Sequence, residues 1–499
     1  MLSTEQLEKN SSPPLLEECT VELVRAPNDA GKEGGWALLQ NRLLSMLSGP
    51  SRVVRRIYNT LLLLYHAELR APLAKTSCPM RWMDSFSTLF FTLKISSHPA
   101  VIKAILKHSR KDPITGLFDD RENAQALLPL LQDLYPNEKI CADDFLLTCH
   151  KQYVNTYRQT ILRFIGPQNI KKHEHILQQL IEESLTLVDA QARVNATEFS
   201  LIFATSVISR LFLGHPGPWE AYREIACAND YLNKFAMKKT WRQSISKEEQ
   251  KKYNSSLEIV RKAIEISLIA ADKSSKGSLV DTLRTDKAMT NAQVKATLFL
   301  MYFGGSETTA SLLNYLLWQL GQHADYQEKI WQELQGVQEG SEEGCIAAAA
   351  HAKSIDRLFN ESIRLFSPSY IMGRQPAQEL SCLVRDREGR VIFREKIAKN
   401  EGLLCGSTFA ARDPRLYDKP DAFNPDRFQT ESKTLPWLPF GDGQHACPGQ
   451  WLAKTEVVGL VAALVQKYRI RSFPEKELGQ KGYMTLKPAE EVWLELTRR

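Results

Sequence analysis

Cys447 stands in the run Leu438-Pro439-Phe440-Gly441-Asp442-Gly443-Gln444-His445-Ala446-Cys447-Pro448-Gly449, and a helix-like stretch follows at once. One sulfur is thus set in a glycine-rich turn beside an aromatic ring, an ionisable imidazole and a helix N-terminus. A thiolate ligand must be kept deprotonated and shielded, and positive helix ends and backbone N–H groups lower a cysteine pKa. Pro448 has no N–H, so Gly449 and Gln450 are the nearest local donors to the sulfur. Gly443 and Gly449 permit torsions and a close approach to a flat macrocycle that a Cβ would obstruct. Phe440 would exclude water. That setting suits axial ligation of a haem iron. A buried free thiol is the usual fate of a lone cysteine, and this cysteine taken alone leaves that alternative open.

A second constellation is Gly304-Gly305-Ser306-Glu307-Thr308-Thr309, inside the most apolar run of the chain, Val294 to Leu320. Two adjacent glycines inside a helix cost about 1 kcal/mol each relative to alanine, and an acid–alcohol pair is odd in a core. Both make sense if something flat approaches the helix and protons must be delivered to it. The alternative is a kinked helix whose threonine hydroxyls bond back to carbonyls four residues earlier. A third is Glu361-Ser362-Ile363-Arg364, which sets a carboxylate and a guanidinium one turn apart on a helix face. Any surface helix can carry such a pair.

The elements that must position these residues are mostly helical. Residues 1–35 are polar and read as a flexible N-terminal segment. Residues 36–499 read as one large, mainly α domain with small β-sheets. Residues 36–70 read as helices, and Leu89–Ile95 as a strand. A helix starts at Ser97-His98-Pro99, with proline near its first position. Lys107 to Cys149 reads as a long loop with short helices, and helical periodicity dominates from Tyr153 to about Leu320. The segment 376–410 turns β-like around Asp386-Arg387-Glu388-Gly389, a hairpin turn. Residues 296–303 are hydrophobic on every side, as a central buried helix should be.

Composition bounds the rest. The chain is 43% hydrophobic and 24% charged, ordinary for a soluble protein. The net charge of +6 is too mild to imply nucleic acid. The nine cysteines are odd in number and scattered without Cys-x-x-Cys, which argues against a zinc site or a disulfide framework and fits a reducing cytoplasm. The N-terminus lacks a signal-peptide layout. The nearest candidate for a transmembrane anchor, Leu43 to Leu69, is interrupted by Arg52, Arg55 and Arg56, each costing about 2.5–3.5 kcal/mol at a bilayer centre. No anchor is expected, and peripheral association through this basic, leucine-rich stretch stays open.

The pattern Phe440-x-x-Gly443-x-His445-x-Cys447-x-Gly449 resembles the haem-binding loop of the cytochrome P-450 family, the haem-thiolate monooxygenases. Other stretches resemble that family in the expected order, over roughly residues 85–499: the strand and helix at 89–106, Glu307-Thr308, Glu361-x-x-Arg364, and Asp421-Ala422-Phe423-Asn424-Pro425-Asp426-Arg427-Phe428. The resemblance implies haem b (iron protoporphyrin IX) held by Cys447 as the metal ligand. It implies an acid–alcohol pair, Glu307 and Thr308, over the distal face, and a buried charge triad of Glu361, Arg364 and Arg427 that locks the fold. His445 stands where the family more often has arginine, so its contact to a haem propionate would be weaker and pH-dependent. Arg374, after Leu365-Phe366-Ser367-Pro368, matches a propionate-binding arginine. Arg158 matches another, although the family's tryptophan four residues earlier is Val154 here.

The family's activity would be O₂-dependent oxidation of a small apolar organic substrate. Electrons would come from a separate ferredoxin or flavodoxin with its reductase, docked near Cys447 where Lys454 and Arg158 add positive charge. The few residues after Cys447 are used by a helix and strands, leaving no room there for a fused redox module. A monomer is expected. A peroxide-driven hydroxylase and a non-catalytic haem or ligand-binding protein are the alternatives. Phe235, Met237, Phe299 and Tyr302 are candidate pocket walls, and equally candidate core residues.

Overall fold

The computed structural model describes residues 20–25, 84–87, 92–96, 99–107, 118–119 and, with short breaks, 127–499. In chain order the elements are β1 (Thr20–Arg25), β2 (Asp84–Ser87), β3 (Thr92–Ser96), α1 (Pro99–Lys107), β4 (Phe118–Asp119), α2 (Leu127–Leu134), α3 (Lys151–Ile165), α4 (Glu174–Asp189), β5 (Arg193–Asn195), α5 (Ala196–Leu213), α6 (Trp219–Thr240), α7 (Lys247–Lys273), α8 (Leu279–Thr285) and α9 (Asn291–Gln322). There follow α10 (Ala324–Gln338), α11 (Cys345–His351), α12 (Lys353–Leu365), β6 (Met372–Pro376), β7 (Leu380–Arg385), β8 (Val391–Ile397), β9 (Gly402–Cys405), α13 (Ser407–Ala410), α14 (Gln450–Lys467), β10 (Tyr468–Phe473), β11 (Gln480–Gly482), β12 (Leu486–Pro488) and β13 (Trp493–Arg498).

Helix α9 is the axis of the molecule. Thr290 caps it: the hydroxyl accepts from Gln293 N–H at 3.3 Å, and Gln293 Oε1 accepts from Thr290 N–H at 2.9 Å, which satisfies two orphan donors reciprocally. Residues 296–303 are buried on all sides, because α5, α6, α8 and α12 pack around the helix. Helix α5 is itself capped by Asn195 and ends on Gly214 in the left-handed region. The strands form a five-stranded sheet in the order β2-β3-β9-β6-β4, with β3 and β9 parallel, and a three-stranded β1-β7-β8 sheet. A β10-β13-β5 sheet and the β11-β12 hairpin complete the set. The sheet β10-β13-β5 holds the C-terminal strand against the start of α5.

Several expectations meet the structure directly. The central helix extends a few residues beyond each end of 294–320, and α1 begins at Pro99. The Asp386–Gly389 turn closes β7 on β8, with Gly389 at φ +79°. Within the segment read as flexible, Thr20–Arg25 is instead a strand, because all six residues pair antiparallel with β7. The strand expected at 89–95 runs over 92–96 and joins an unanticipated partner, β2; residues 88–91 lie outside the described residues, as does 36–70 with its candidate anchor. Among the described residues no helix is long and apolar enough to cross a membrane.

Candidate functional site

The Cys447 loop is built by two turns and a helix start. Gly441 and Gly443 both have φ +72°, a conformation that side chains rarely adopt, so the loop reverses here only because these positions lack a Cβ. The Cys447 N–H donates to the Phe440 carbonyl at 2.8 Å and closes the loop. Helix α14 then begins after Gly449, and no side chain caps it. Its free N–H groups lie beside the sulfur instead, and the Gly449 and Gln450 amides both favour the Cys447 thiolate. Burial pushes the Cys447 thiol up, and the Gly449 amide, the Arg158 charge and the Gln450 amide pull against that shift. The two donors are those that the sequence singled out. Phe440 stacks on Phe359 of α12, with ring centroids 6.5 Å apart, and so joins the loop to the main core.

Arg158 reaches this loop from α3. Its Nη1 donates to the carbonyl of Ala446, the residue before the cysteine. The half-buried guanidinium therefore braces the loop. Lys454, the other cation expected at a docking face, is ion-paired with Asp356 of α12 at 3.0 Å. Arg374 lies in β6, paired with Leu403 of β9, and donates to the Gly373 carbonyl at 2.7 Å. His445 lies outside the described residues.

On α9 the run of fully buried residues is broken at Gly304, Gly305 and Thr308, all partly exposed. Gly304 and Thr308 are one turn apart and share a face. Among the described residues a Cβ on Gly304 would meet only Leu300, at 4.0 Å, so none of them fills the space over this face. Gly305 has a different reason: a Cβ there would sit 2.5 Å from Ile208 Cδ1, so the missing side chain lets α5 approach. The Thr308 hydroxyl donates to the Gly304 carbonyl at 2.7 Å, and Ser306 does the same to Tyr302 at 2.6 Å. Back-bonding uses the one donor of each hydroxyl and leaves acceptor capacity on the oxygen.

Glu307 is buried, with Oε2 at 2.5 Å from Lys487 Nζ. Helices α9 and α14 also pack together, and on α14 burial pushes the Glu456 carboxyl well above the usual range, with Thr309 of α9 opposing that shift. Neither Lys487 nor Glu456 was foreseen. Both are single polar residues in unremarkable sequence, and only their burial marks them.

The three charges Glu361, Arg364 and Arg427 meet. Arg364 Nε and Nη2 donate to Glu361 at 2.7 and 2.8 Å, and Arg427 Nε donates to the same carboxylate at 3.1 Å. Glu361 also accepts from Asn424 N–H at 2.9 Å. Arg364 further donates to the Ala411 and Pro420 carbonyls, both at 2.7 Å. The cluster thereby fastens α12 to the segment that leads into the cysteine loop. Phe235, Phe299 and Tyr302 are buried core residues: Phe235 stacks on Tyr253 at 4.2 Å, and the Tyr302 hydroxyl bonds Ser209 at 3.1 Å. The side chain of Met237 lies outside the described residues.

A thiolate-bound macrocycle can be tested against these residues. An uncapped helix start aimed at one sulfur, and a half-exposed glycine–threonine face on an otherwise buried helix, both fit a haem. The sequence profile of the family described as Cytochrome P450 matches residues 174–491. Cytochrome P450 9c1 of Drosophila melanogaster is 28% identical over 262 residues, 50% of this chain and 49% of that protein. Cytochrome P450 4c3 of the same fly is 24% identical over 229 residues, 44% of this chain and 41% of the relative. Cyclooctatin synthase of Streptomyces melanosporofaciens is 26% identical over 227 residues, 44% and 47% of the two chains. The chain thus spans about half the length of the curated relatives it matches, or somewhat less. The crystal structure of a cytochrome P450DA heme domain superposes with TM-score 0.70 at 17% identity, covering 86% of this chain and 94% of that one, which shows the fold.

Proposed function

This chain belongs to the cytochrome P450 family, and on that premise we propose that it is a haem-thiolate monooxygenase acting on a small apolar organic molecule. The observation that carries the reading is Cys447 set at the uncapped start of α14, in a loop turned by Gly441 and Gly443 and closed by the Cys447 N–H on the Phe440 carbonyl. When bound, haem b supplies dioxygen activation for oxygen insertion into the substrate, and the thiolate's electron donation favours O–O cleavage.

The chain's own residues have separable tasks. The Gly449 and Gln450 amides and the Arg158 charge stabilise the sulfur as an anion, and Arg158 fixes the loop through Ala446. Phe440 shields the sulfur from water. Arg374 and His445 are proposed to neutralise the acidic edge of the macrocycle. Glu307 takes up and returns protons, and Thr308, whose proton is committed to Gly304, accepts a hydrogen bond from a water and orients it. Glu361, Arg364 and Arg427 hold the segment before the loop. Electrons come from a separate ferredoxin or flavodoxin with its reductase. Trp451 and Lys454, the latter paired with Asp356 of α12, lie on the first turns of α14, close to Cys447, on the face proposed for docking. A cytoplasmic location is proposed with it.

The test is the ferrous–CO spectrum of the full chain. A red-shifted band in the wild type and its loss in Cys447→Ala are expected. A band that survives the substitution overturns the assignment of the ligand. Substrate turnover with a ferredoxin system, compared with turnover on peroxide, separates the monooxygenase from the peroxide-driven alternative.

A further inference from the structure

A cavity of about 250 Å³ opens where the end of α4, strand β5, the first turns of α5 and α6 and the start of β13 meet. No residue of the Cys447 loop or of 304–308 lines it. Its walls include Val194, Phe199, Ile202, Trp219 and Trp493. The chain builds it by turning sharply: β5 ends at Asn195, whose side chain at once caps α5 through the Glu198 N–H at 3.1 Å. Trp493 is paired with Asn195 across the sheet. Both indoles are held by neighbours. Trp219 stands edge-on to Tyr222, with ring centroids 5.9 Å apart, and the Arg193 guanidinium lies 5.4 Å from the Trp493 ring centroid. Each indole is nevertheless only half-buried, as is Ile202. Large apolar side chains gathered in one concave, half-open place mark a ligand site more often than scattered exposure does.

The charges at the rim say what kind of ligand fits. The lining carries two carboxylates, Glu198 and Glu220, and one guanidinium, Arg223. Glu198 and Glu220 stand in the first turns of α5 and α6, where a helix start favours a carboxylate. Arg223 Nε pairs with Glu198 Oε1 at 2.5 Å, so the guanidinium is matched and one negative charge is left over. Arg193 is not part of the lining and is stacked over Phe473 as well as Trp493. Indole faces are electron-rich and attract cations. The volume lies just under the range of about 300–1,000 Å³ that drug-sized ligands occupy, so the occupant is compact.

We propose that this cavity is a binding site, separate from the haem site, for a compact aromatic molecule that carries an ammonium group. Its ring packs among Phe199, Ile202 and the two indoles, and its cation faces Glu220 and Glu198. The occupant ties the start of α6 to β5 and β13. An anion is disfavoured by the two carboxylates, and a long-chain ligand by the volume.

The test uses the full haem-loaded chain and benzyltrimethylammonium, whose nitrogen has no lone pair and cannot ligate iron. Ligand-observed NMR titration should show saturable binding with a Kd of about 1 mM or tighter. The neutral N,N-dimethyl-2-phenylacetamide and the anionic 3-phenylpropionate should each bind about fivefold more weakly or worse. Glu220→Gln should weaken the cation about threefold and leave the neutral amide unchanged. Ile202→Trp, which fills the cavity, should abolish binding of both. Backbone hydrogen exchange in 219–223 should slow when the cation is added. The proposal is overturned by an absence of saturable binding, by equal affinity for the three probes, or by an affinity that Glu220→Gln does not change. Binding that shifts the haem absorption band and is indifferent to both substitutions is binding at the haem site, and overturns it too. If Ile202→Trp does not fold, Glu220→Gln and the exchange in 219–223 decide. None of these readouts depends on turnover or on which atom ligates the iron.

Discussion

Replacing Arg364 with methionine isolates the buried charge cluster as a source of stability. Glu361 and Arg364 are both 0% exposed. The substitution removes two charged hydrogen bonds to Glu361 and leaves the Ala411 and Pro420 carbonyls without their donor. Charged hydrogen bonds contribute about 1.5–3 kcal/mol each, and a buried polar group left unpaired costs about 1–3 kcal/mol. Glu361 keeps Arg427 and the Asn424 amide, which offsets part of that loss. The net expectation is about 3–5 kcal/mol, the usual cost of breaking a buried ion pair. Urea unfolding followed by helical circular dichroism should show the midpoint falling by about 1 M or more. The double substitution Glu361→Leu/Arg364→Met removes both charges and should recover about half of the loss or more. Arg471→Ala serves as the comparison: its pair with Glu475 is 64% and 57% exposed and should contribute at most about 1 kcal/mol. If Arg364→Met costs no more than Arg471→Ala, the cluster is not a structural lock and the reasoning fails.

Gly305→Ala should destabilise by about 1–2 kcal/mol despite its better helix propensity, because its Cβ would press on Ile208; adding Ile208→Ala should restore part of the loss in the same urea assay. Glu456 has a folded-state pKa above the unfolded value of about 4.5, so above that pH the unfolded chain binds fewer protons than the native one. Native stability should therefore fall as pH rises from 4.5 toward the folded pKa. The stability of Glu456→Gln relative to wild type should grow over the same range, by about 1.4 kcal/mol per pH unit at most. A difference that is flat with pH would mean that the carboxyl ionises in the fold. Thr308→Ala should lower product formed per O₂ consumed and raise peroxide release; unchanged coupling would place water orientation elsewhere.

What could be read from the chain alone was local. The Cys447 loop is legible because a cysteine, the glycines around it and the following helix start are consecutive, and the uncapped amides of Gly449 and Gln450 follow from Pro448 lacking an N–H. The pairing of Glu361 with Arg364 is legible because three residues make about one helical turn. The length of α9 is legible because Ala296 to Phe303 are apolar on every side. Its glycines were only half read: no described residue fills the space over Gly304, whereas Gly305 answers to Ile208, a residue of another helix.

The remainder depended on the fold, because a hydrogen bond or ion pair between distant segments leaves no periodicity to detect. Arg158 and Ala446 lie 288 positions apart, and which carbonyl the guanidinium meets depends on how α3 packs beside the cysteine loop. Asp230 and Lys487 are 257 positions apart and meet because α6 and β12 close over α9. Residue type left Phe235, Phe299 and Tyr302 open between pocket wall and core, and packing places them in the core. Residue types and their nearest spacings thus singled out the cysteine loop proposed to hold the metal, the central helix and the helical ion pair. Tertiary packing decided which distant charges are buried together, and burial is what turns an ordinary lysine or glutamate into a group whose protonation matters.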